Sequence, residues 1–531
     1  MPAVVTDQFR ILNASNFVDS VLDETNNSYY VFLGLPNPQG KAPNGLIGFG
    51  RSSTWNTNPI PSPVDNLQYR GQYKDTSIFG KKISSQNIRR VVKKHTWTSN
   101  TRYDMYRHDY QVGVNEAPNG ETGNLYNTNF YVINSDYRVY ICIHNGSSPT
   151  LPKGSKSIDE PTFTDLEPSA AGTSGDGYIW KYLFTVSPSD IIKFDSTDYI
   201  VVPNDWGTTT DSQIQTVREA ADSDINKNQL KTIVIKNAGL PGNYTEGTHS
   251  VNILGDGIGG KALITVSSIG IITKAEITAG GYGYTYGIVD LGPLQASTTI
   301  SGPAYLIPVI PPSKGHGYDI YSELGADKVL IYVRFDDSTK DFPTDTSFAQ
   351  VGIVKNPLQF SSSNKATSND YSSLYSIKLT GDLGTTVDVV GTGITQSVAG
   401  GGVARGYIAS YDKDTNVLKY FQDRSLYFGD ANDQGDSSVV STQSKVLSFE
   451  STSATIISSS PSFSVSVDRG FSGVSTTTSS GKQINLGVEF TNGLANPEIN
   501  KKTGDVIYID NRSIVKRDLR QKEDIKIILE F

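Results

Sequence analysis

"GDGYIWKYLFTV", Gly175 to Val186, sets Tyr178, Trp180, Tyr182, Phe184 and Val186 at every second position, the period of a strand with one apolar face. Burying the four rings of that face is worth roughly 6 to 12 kcal/mol gross, at about 1.5–3 kcal/mol each, before the entropy of ordering is subtracted. Such a face has to meet a second sheet or a partner subunit. An aromatic stripe at strand period reads as core before it reads as a sugar platform, so the stretch predicts layered β-structure.

Composition points the same way. The 531 residues include 50 Gly, 24 Pro and 29 Tyr but two Met, a balance that favours short strands joined by turns over helices. At about 150 residues per domain the length allows roughly three or four domains. Short helices are expected at 15–24, 85–94 and 211–221, where apolar residues such as Ile88, Val91 and Val92, or Ile214, Val217 and Ala221, recur at helical spacing. In the stretch Thr503 to Phe531, Ile525, Ile527, Leu529 and Phe531 alternate with Lys526 and Glu530, a half-buried strand; Ile528 breaks the alternation and predicts partial cover of the second face. Asp510-Asn511-Arg512 reads as a turn held by Asx hydrogen bonds, with Arg512 in an ion pair, rather than as a catalytic cluster.

Two segments depart from this pattern. From 228 to 312, "IVIKNAGLPGNYT" is echoed by "AEITAGGYGYT", which places Tyr244-Thr245 and Tyr284-Thr285 after Gly-rich turns in a weak internal repeat. From 363 to 497 the chain is rich in Ser, Thr and Gly, and "ARGYIASYDKDTNVLKYF" predicts a hairpin turning near Asp412 to Asn416. Both read as β-domains.

Several function classes find no support. The formal charge of -8 is spread along the chain and basic runs are short, as at Arg89-Arg90 and Lys93-Lys94, so no nucleic-acid partner is expected. Cys142, the sole cysteine, lies in the apolar run "RVYICIHNG" and reads as a buried core thiol. No basic and apolar leader and no run of about 18 apolar residues occurs, which predicts a soluble, intracellularly made protein without a membrane span. "GDGIGGKA" has the glycine and lysine spacing of a phosphate loop, but Ala262 stands where a hydroxyl should bind magnesium, and "ALITVSSIGII" after it reads as strand instead of helix. His95, His108, His144, His249 and His316 form no local ligand pair, no Gly-x-Ser-x-Gly elbow occurs, and no pair of carboxylates is singled out. No catalytic residue, metal or cofactor is expected.

Five pieces occur in an order that carries a resemblance: "RSSTW" (Arg51 to Trp55) before a Pro-rich loop and Asp65, "WTSNTRYD" (Trp97 to Asp104), "GDGYIWKYLF" with "YIVVP" (Gly175 to Pro203), "VGIVKNPL" (Val351 to Leu358), and "GDVIYIDNR" with "IKIILEF". Together they resemble the baseplate wedge proteins of contractile-tailed bacteriophages, the gene product 8 family. The resemblance covers 1–220, 316–362 and 500–531 as three parts of a wedge core, and skips the segments 228–312 and 363–497. It implies a mainly β, multi-domain fold, with a β-sandwich core, a few short helices and two inserted β-domains. The loop "LPNPQGKAPNGLIGFG" between "YYVFLG" and Arg51 is a departure from the family pattern.

The resemblance also implies a structural, non-enzymatic subunit: a homodimer joining neighbouring wedge proteins, six wedges surrounding a hub, located in the virion tail and assembled in the host cytoplasm. Obligate contacts of that kind bury roughly 2,000 to 5,000 Å² and are anchored by aromatic and Arg residues. Trp55, Trp97, Arg102, Tyr103 and Trp206 are the candidate interface anchors, and each is equally a candidate for the core. The alternative is a receptor-binding or tail-spike protein, a trimer whose inserts contact the host surface and recognise glycan through exposed Tyr282, Tyr284 and Tyr286. A tail-associated glycan hydrolase is a further rival, without a motif in its favour.

Overall fold

A computed structural model describes residues 4–34, 41–42, 45–46, 74, 77–110, 124–221, 229–336, 347–422, 447–478, 480–516 and 521–531. Trp55, the "RSSTW" piece and Asp65 lie outside the described residues. The protein is mainly β and multi-domain, as composition and resemblance imply, with many antiparallel sheets. Four α-helices occur among the described residues: α1 Asp7–Leu22, α2 Pro188–Phe194, α3 Ser212–Ala221 and α4 Ile320–Leu324. The helices expected at 15–24 and 211–221 are present as α1 and α3. The one expected at 85–94 is the strand Ile88–Lys93. Ile88, Val91, Val92 and also Arg90 are buried there, so cover on both faces erased the alternation of two and left a spacing that mimics a helix.

The chain divides into two units, Met1–Val18 with Arg89–Leu330 and Ile528–Phe531, and Asp19–Ile88 with Ile331–Ile527. The first unit is organised around the aromatic strand, observed as Tyr178–Thr185. It lies between Arg138–Asn145 and Ser169–Ala170 in a four-stranded sheet completed by Tyr131–Ile133. Cys142 is paired with Trp180 in register, and Tyr178 stacks on Trp180 with ring centres 5.4 Å apart. Lys181 and Leu183, on the opposite face, are buried too, so the sheet is covered on both sides. Nearby, Arg90–Lys93 pairs with Tyr199–Val202. Ser187 starts α2 by accepting the Asp190 amide, with Pro188 in the first turn where no amide is needed. Asp319 starts α4 the same way, and Gly325 ends it at φ 70°, a left-handed cap that glycine adopts without a Cβ penalty.

Within this unit the segment after Leu230 has its own core. The strands Ile272–Ala279, Lys261–Val266, Gly247–Gly255 and Gly287–Val289 lie side by side in that order, and Ile233–Asn237 pairs with Tyr305–Pro308. Tyr244 and Tyr284, the matching positions of the repeat, are both plugs of that core. The Tyr244 hydroxyl accepts the Ala304 amide at 2.8 Å, and the Tyr284 hydroxyl accepts the Gly260 amide and donates to the Ile253 carbonyl, both at 3.0 Å. A Cβ on Gly257 would stand 2.3 Å from the Tyr284 ring. The glycines of "GDGIGGKA" therefore admit a tyrosine, not a phosphate, and the strand Lys261–Val266 follows them. Near the two ends of the segment the Val309 amide donates to the Thr232 carbonyl at 3.0 Å.

The second unit is built on a five-stranded antiparallel sheet in the order Asp370–Ser372, Ser77–Lys82, Tyr29–Gly34, Ser347–Lys355, Asp505–Lys516. All six residues of Tyr29–Gly34 are buried. Asp510-Asn511-Arg512 is not a turn: it lies inside the strand Asp505–Lys516, with Asp510 opposite Val351 and Asn511 opposite Gln350. The expected ion pair of Arg512 is present, with Asp510 at 2.6 Å. The Tyr508 hydroxyl also donates to Asp510, at 3.5 Å along the same strand.

A seven-stranded sheet occupies 375–495 in the same unit, with a core including Ile377, Ile408, Leu418 and Phe463. The expected hairpin is there, Gly402–Asp412 with Val417–Phe421. The residues flanking this segment are tied together: Ser372 donates its amide to the Glu498 carboxylate at 2.7 Å, and Glu498 returns its own amide to the Ser372 carbonyl at 2.9 Å. The strand Glu523–Glu530 buries Ile527 and half-buries Ile525 and Leu529, as the alternation predicts. Ile528 is 39% exposed, however, so the second face is not covered at that point.

Candidate interaction surface

The candidate anchors divide by burial. Trp206, just after the strand Tyr199–Val202, is 1% exposed. Its indole N–H donates to the Gly317 and Tyr318 carbonyls at 3.2 and 3.1 Å, and its ring meets Phe184 edge-on. Tyr103 is 2% exposed, edge-on to Tyr178 and Trp180, and its hydroxyl accepts the Thr98 amide at 2.6 Å. Both rings fasten the first unit internally. Trp97 is half-buried and donates from its indole to Ser157 Oγ at 3.0 Å, while Arg102 is exposed and accepts from the Asn129 amide at its carbonyl at 3.2 Å. Trp97 and Arg102 are thus the described candidates that reach solvent. Of the three tyrosines expected on a glycan surface, Tyr286 is 58% exposed, but Tyr284 is buried as a plug; its periodic neighbours gave no sign that the backbone closes over its ring.

One polar constellation was not legible in the sequence. The carboxylate of Glu323 in α4 takes His316 Nδ1 at 2.5 Å and the Gly317 amide at 2.7 Å, with the Tyr106 ring edge-on to His316 at 4.7 Å. The pair straddles a loop and the start of a helix, so no local spacing motif announces it. Every named partner is buried or backbone, which makes the group a satisfied internal network rather than an acid and base facing substrate. Lys181 is buried beside it, donates to the Leu166 carbonyl at 2.6 Å, and is lowered by burial to about 8. Cys142 is the core thiol expected; burial raises its pKa well above the ordinary thiol range and keeps it unreactive. Asp256, held down by hydrogen bonds from Thr285, closes a turn. Among the described residues no group of three or more His, Cys, Asp or Glu could hold a metal ion, and no helix is long and apolar enough to cross a membrane.

The first unit also contains a polar cavity of about 570 Å³, walled by the first turns of α1, by Lys93 and Lys94, by Tyr126 and Tyr131, and by Lys328 with Glu530. It contains no cysteine or histidine. Its wall carries Arg10, Lys93, Lys94 and Lys328 against Asp7, Asp198, Asp327 and Glu530, a balanced set.

Two comparisons bear on what such surfaces serve. The family model described as Bacteriophage T4, Gp8 matches residues 142–239, the stretch that carries the aromatic strand, α2, α3 and Trp206. The baseplate wedge protein gp8 of Enterobacteria phage T4 is 24% identical over 304 residues, which span 49% of this chain and 82% of the phage protein. The resemblance carried by the ordered motifs is borne out: the chain is gp8-like.

Proposed function

We propose that this gp8-like chain is a structural subunit of a phage tail baseplate wedge, joining neighbouring wedge proteins in a six-fold baseplate and taking part in tail assembly. The observation that carries the reading is the similarity to a baseplate wedge protein along 82% of that protein's length. Its place is then the virion tail, and its work is contact: a homodimer whose rigid β scaffold presents side chains to its neighbours, with Trp97 and Arg102 as the described anchors and no chemical step of its own.

The same similarity occupies only 49% of this chain. This supports reading 228–312 and 363–497 as β-domains inserted into a wedge core of 1–220, 316–362 and 500–531. The paired necks at Thr232–Val309 and Ser372–Glu498 favour that arrangement, because an inserted domain leaves and rejoins at neighbouring points. Strand Asp370–Ser372, which lies within 363–497, pairs with Phe79–Lys81, and this favours starting the second insert after Ser372 and not at 363.

The test is the mass of the purified chain by light scattering, followed by its detection in purified tails. A mass near twice 57.6 kDa, with the chain present in tails and tails failing to assemble without it, is the expected result. A stable trimer, with baseplates that assemble in its absence, overturns the reading in favour of a spike.

A further inference from the structure

The segment 228–312 ends in Pro308-Val309-Ile310-Pro311-Pro312, five residues of which three have no amide hydrogen to give. Both remaining donors are used. The Val309 amide goes to the Thr232 carbonyl at 3.0 Å, across the neck, and the Ile310 amide goes to Nδ1 of His108 at 3.1 Å.

His108 stands on a loop fastened to the aromatic sheet. The Tyr103 amide donates to the Tyr178 hydroxyl at 2.9 Å, the Tyr106 amide donates to the Cys142 carbonyl at 2.9 Å, and Arg107 closes on Asp109 through hydrogen bonds of 2.8 and 2.7 Å. Ile310, in turn, is a buried member of the core that Tyr244 and Tyr284 plug. A hydrogen bond between an imidazole and a backbone amide thus ties the exit of the segment to the sheet around Tyr178–Thr185. The entry side is tied without an imidazole, by the ion pair of Lys231 with Glu167 at 2.6 Å.

A backbone N–H can only donate, so Nδ1 of His108 carries a lone pair and the ring is neutral, with its proton on Nε2. The imidazolium form has an N–H at both nitrogens and would set one of them against the Ile310 N–H. His108 is exposed, so solvent can deliver that proton without unfolding the protein. Burial of part of the ring holds its pKa below 6.5; of the charges that reach it, Asp109 opposes the shift and Arg107 adds to it. The residues 308–312 bring no ionisable side chain. The other histidines have local or internal partners: the His144 Nδ1 takes the Gly146 amide two residues on, His316 is held by Glu323, His249 Nε2 meets the Thr245 carbonyl, and His95 packs on Tyr131.

We propose that His108 is an acid-released latch on the segment 228–312: neutral, it holds the exit of the segment through Ile310, and protonated, it lets go and leaves the segment to pivot on the Thr232–Val309 neck. The inference rests on reading 228–312 as an inserted domain. The released form takes up the proton first, so the latch is fully closed above the ordinary imidazole value of about 6.5 and opens as the pH falls below it. Pro311 and Pro312 fix their own backbone angles, so the freed exit moves as a stiff arm. A single hydrogen bond shifts such an equilibrium by about tenfold, enough to bias a motion and too little to unfold a domain.

The experiment is amide hydrogen exchange of the full chain from pH 7.5 to 4.5, read by mass spectrometry with labelling times scaled to the intrinsic rate, on wild type, His108→Asn and His108→Phe. Asn offers an oxygen in place of Nδ1 and does not titrate, whereas Phe offers no acceptor. Peptides holding Ile310 are expected to lose about tenfold in protection in wild type across that range, to keep it in His108→Asn, and to lack it already at pH 7.5 in His108→Phe. Arg138–Asn145 and Tyr178–Thr185 should stay protected in all three. A wild type and His108→Asn that change by the same factor overturn the latch, as does a His108→Phe protein as protected at pH 7.5 as wild type. Titration of the wild-type His108 ring by NMR needs no variant: a midpoint below 6.5 is expected, and one at or above 6.5 overturns the proposal. If Tyr178–Thr185 loses protection on acidification together with 233–310, the inserted-domain reading itself fails and the latch with it.

Discussion

In the strand Tyr178–Thr185 both faces are covered, Lys181 and Leu183 as well as Trp180 and Tyr182, whereas the strand Gly247–Gly255 buries Val251 and Ile253 and leaves Ser250, Asn252 and Leu254 to solvent. The first is stabilised by interlocked rings in the middle of a unit. The second is a thin sheet with one buried face, and it fills its core with tyrosines whose hydroxyls satisfy backbone groups that the sheet does not reach. Packing density can therefore come from a second layer or from plugs, and the two solutions should fail differently when they are cut.

The largest effect is expected at the doubly covered strand. Trp180→Ala removes a fully buried ring stacked on Tyr178 and should cost about 3–5 kcal/mol, read as a large fall in the thermal unfolding temperature of the first unit. A shift within error would show that the ring is not needed to fill the core.

Next comes His95, half-buried with its ring edge-on to Tyr131. Burial, aided by Lys93, lowers its pKa from 6.5 to about 4. The unfolded chain takes up this proton first, so the stabilisation is complete above about pH 6.5 and is lost as the pH falls towards 4, on the order of 3 kcal/mol at most. His108 and His144 are lowered in the same direction, and His95→Phe should flatten the acid limb of stability without abolishing it. Unfolding midpoints at pH 7, 5.5 and 4.5 read this directly; an unchanged slope in the variant would remove His95 from the account.

A smaller effect belongs to a plug. Tyr284→Phe keeps the ring and strips the hydroxyl that serves Gly260 and Ile253, a loss of about 1–2 kcal/mol. Faster hydrogen exchange should be confined to the Gly260 amide and its neighbours; exchange that quickens equally in Tyr178–Thr185 would mean that the two regions are not energetically separate. The smallest effect on the doubly covered sheet should follow excision of 234–307 with a short Gly-Ser link across the Thr232–Val309 neck. Protection of Arg138–Asn145 and Tyr178–Thr185 against exchange should persist, and its loss would show that the thin sheet props up the other.

The same contrast explains how much could be read in advance. One-sided elements and turns were legible, because exposure writes an alternation into the chain: the hairpin 402–421, the repeat around Tyr244 and Tyr284, the terminal Ile525 and Ile527. Elements covered on both faces were ambiguous, and Ile88–Lys93 passed for a helix for that reason. Asp510-Asn511-Arg512 has turn-forming residues yet sits in a strand, because pairing with Gln350 and Val351 outweighs a weak local preference. Of the surface candidates, Trp97 and Arg102 could not be told from Tyr103 and Trp206 by residue type, since indole and phenol groups serve cores and interfaces alike. The cavity was beyond reach of the sequence: Arg10, Lys93 and Lys328 are far apart in the chain and meet only through the fold.

The neck at Ser372 and Glu498 also bears on the order in which the chain acquires its shape. The two residues are 126 positions apart, and closing a flexible loop of that length costs about 4 kcal/mol of chain entropy by the logarithmic rule. If the seven-stranded sheet forms first, starting from its local hairpins within 393–421 and 456–465, the longer closures at Thr395–Ile457 and Ser376–Ala495 span a chain already shortened by that structure, and its ends arrive side by side. The strand Ser347–Lys355 then finds Asp505–Lys516 across a smaller effective loop. During synthesis the segment between them emerges before the second strand does, so part of the closure cost of a scaffold sheet of high contact order is met before its last strand arrives.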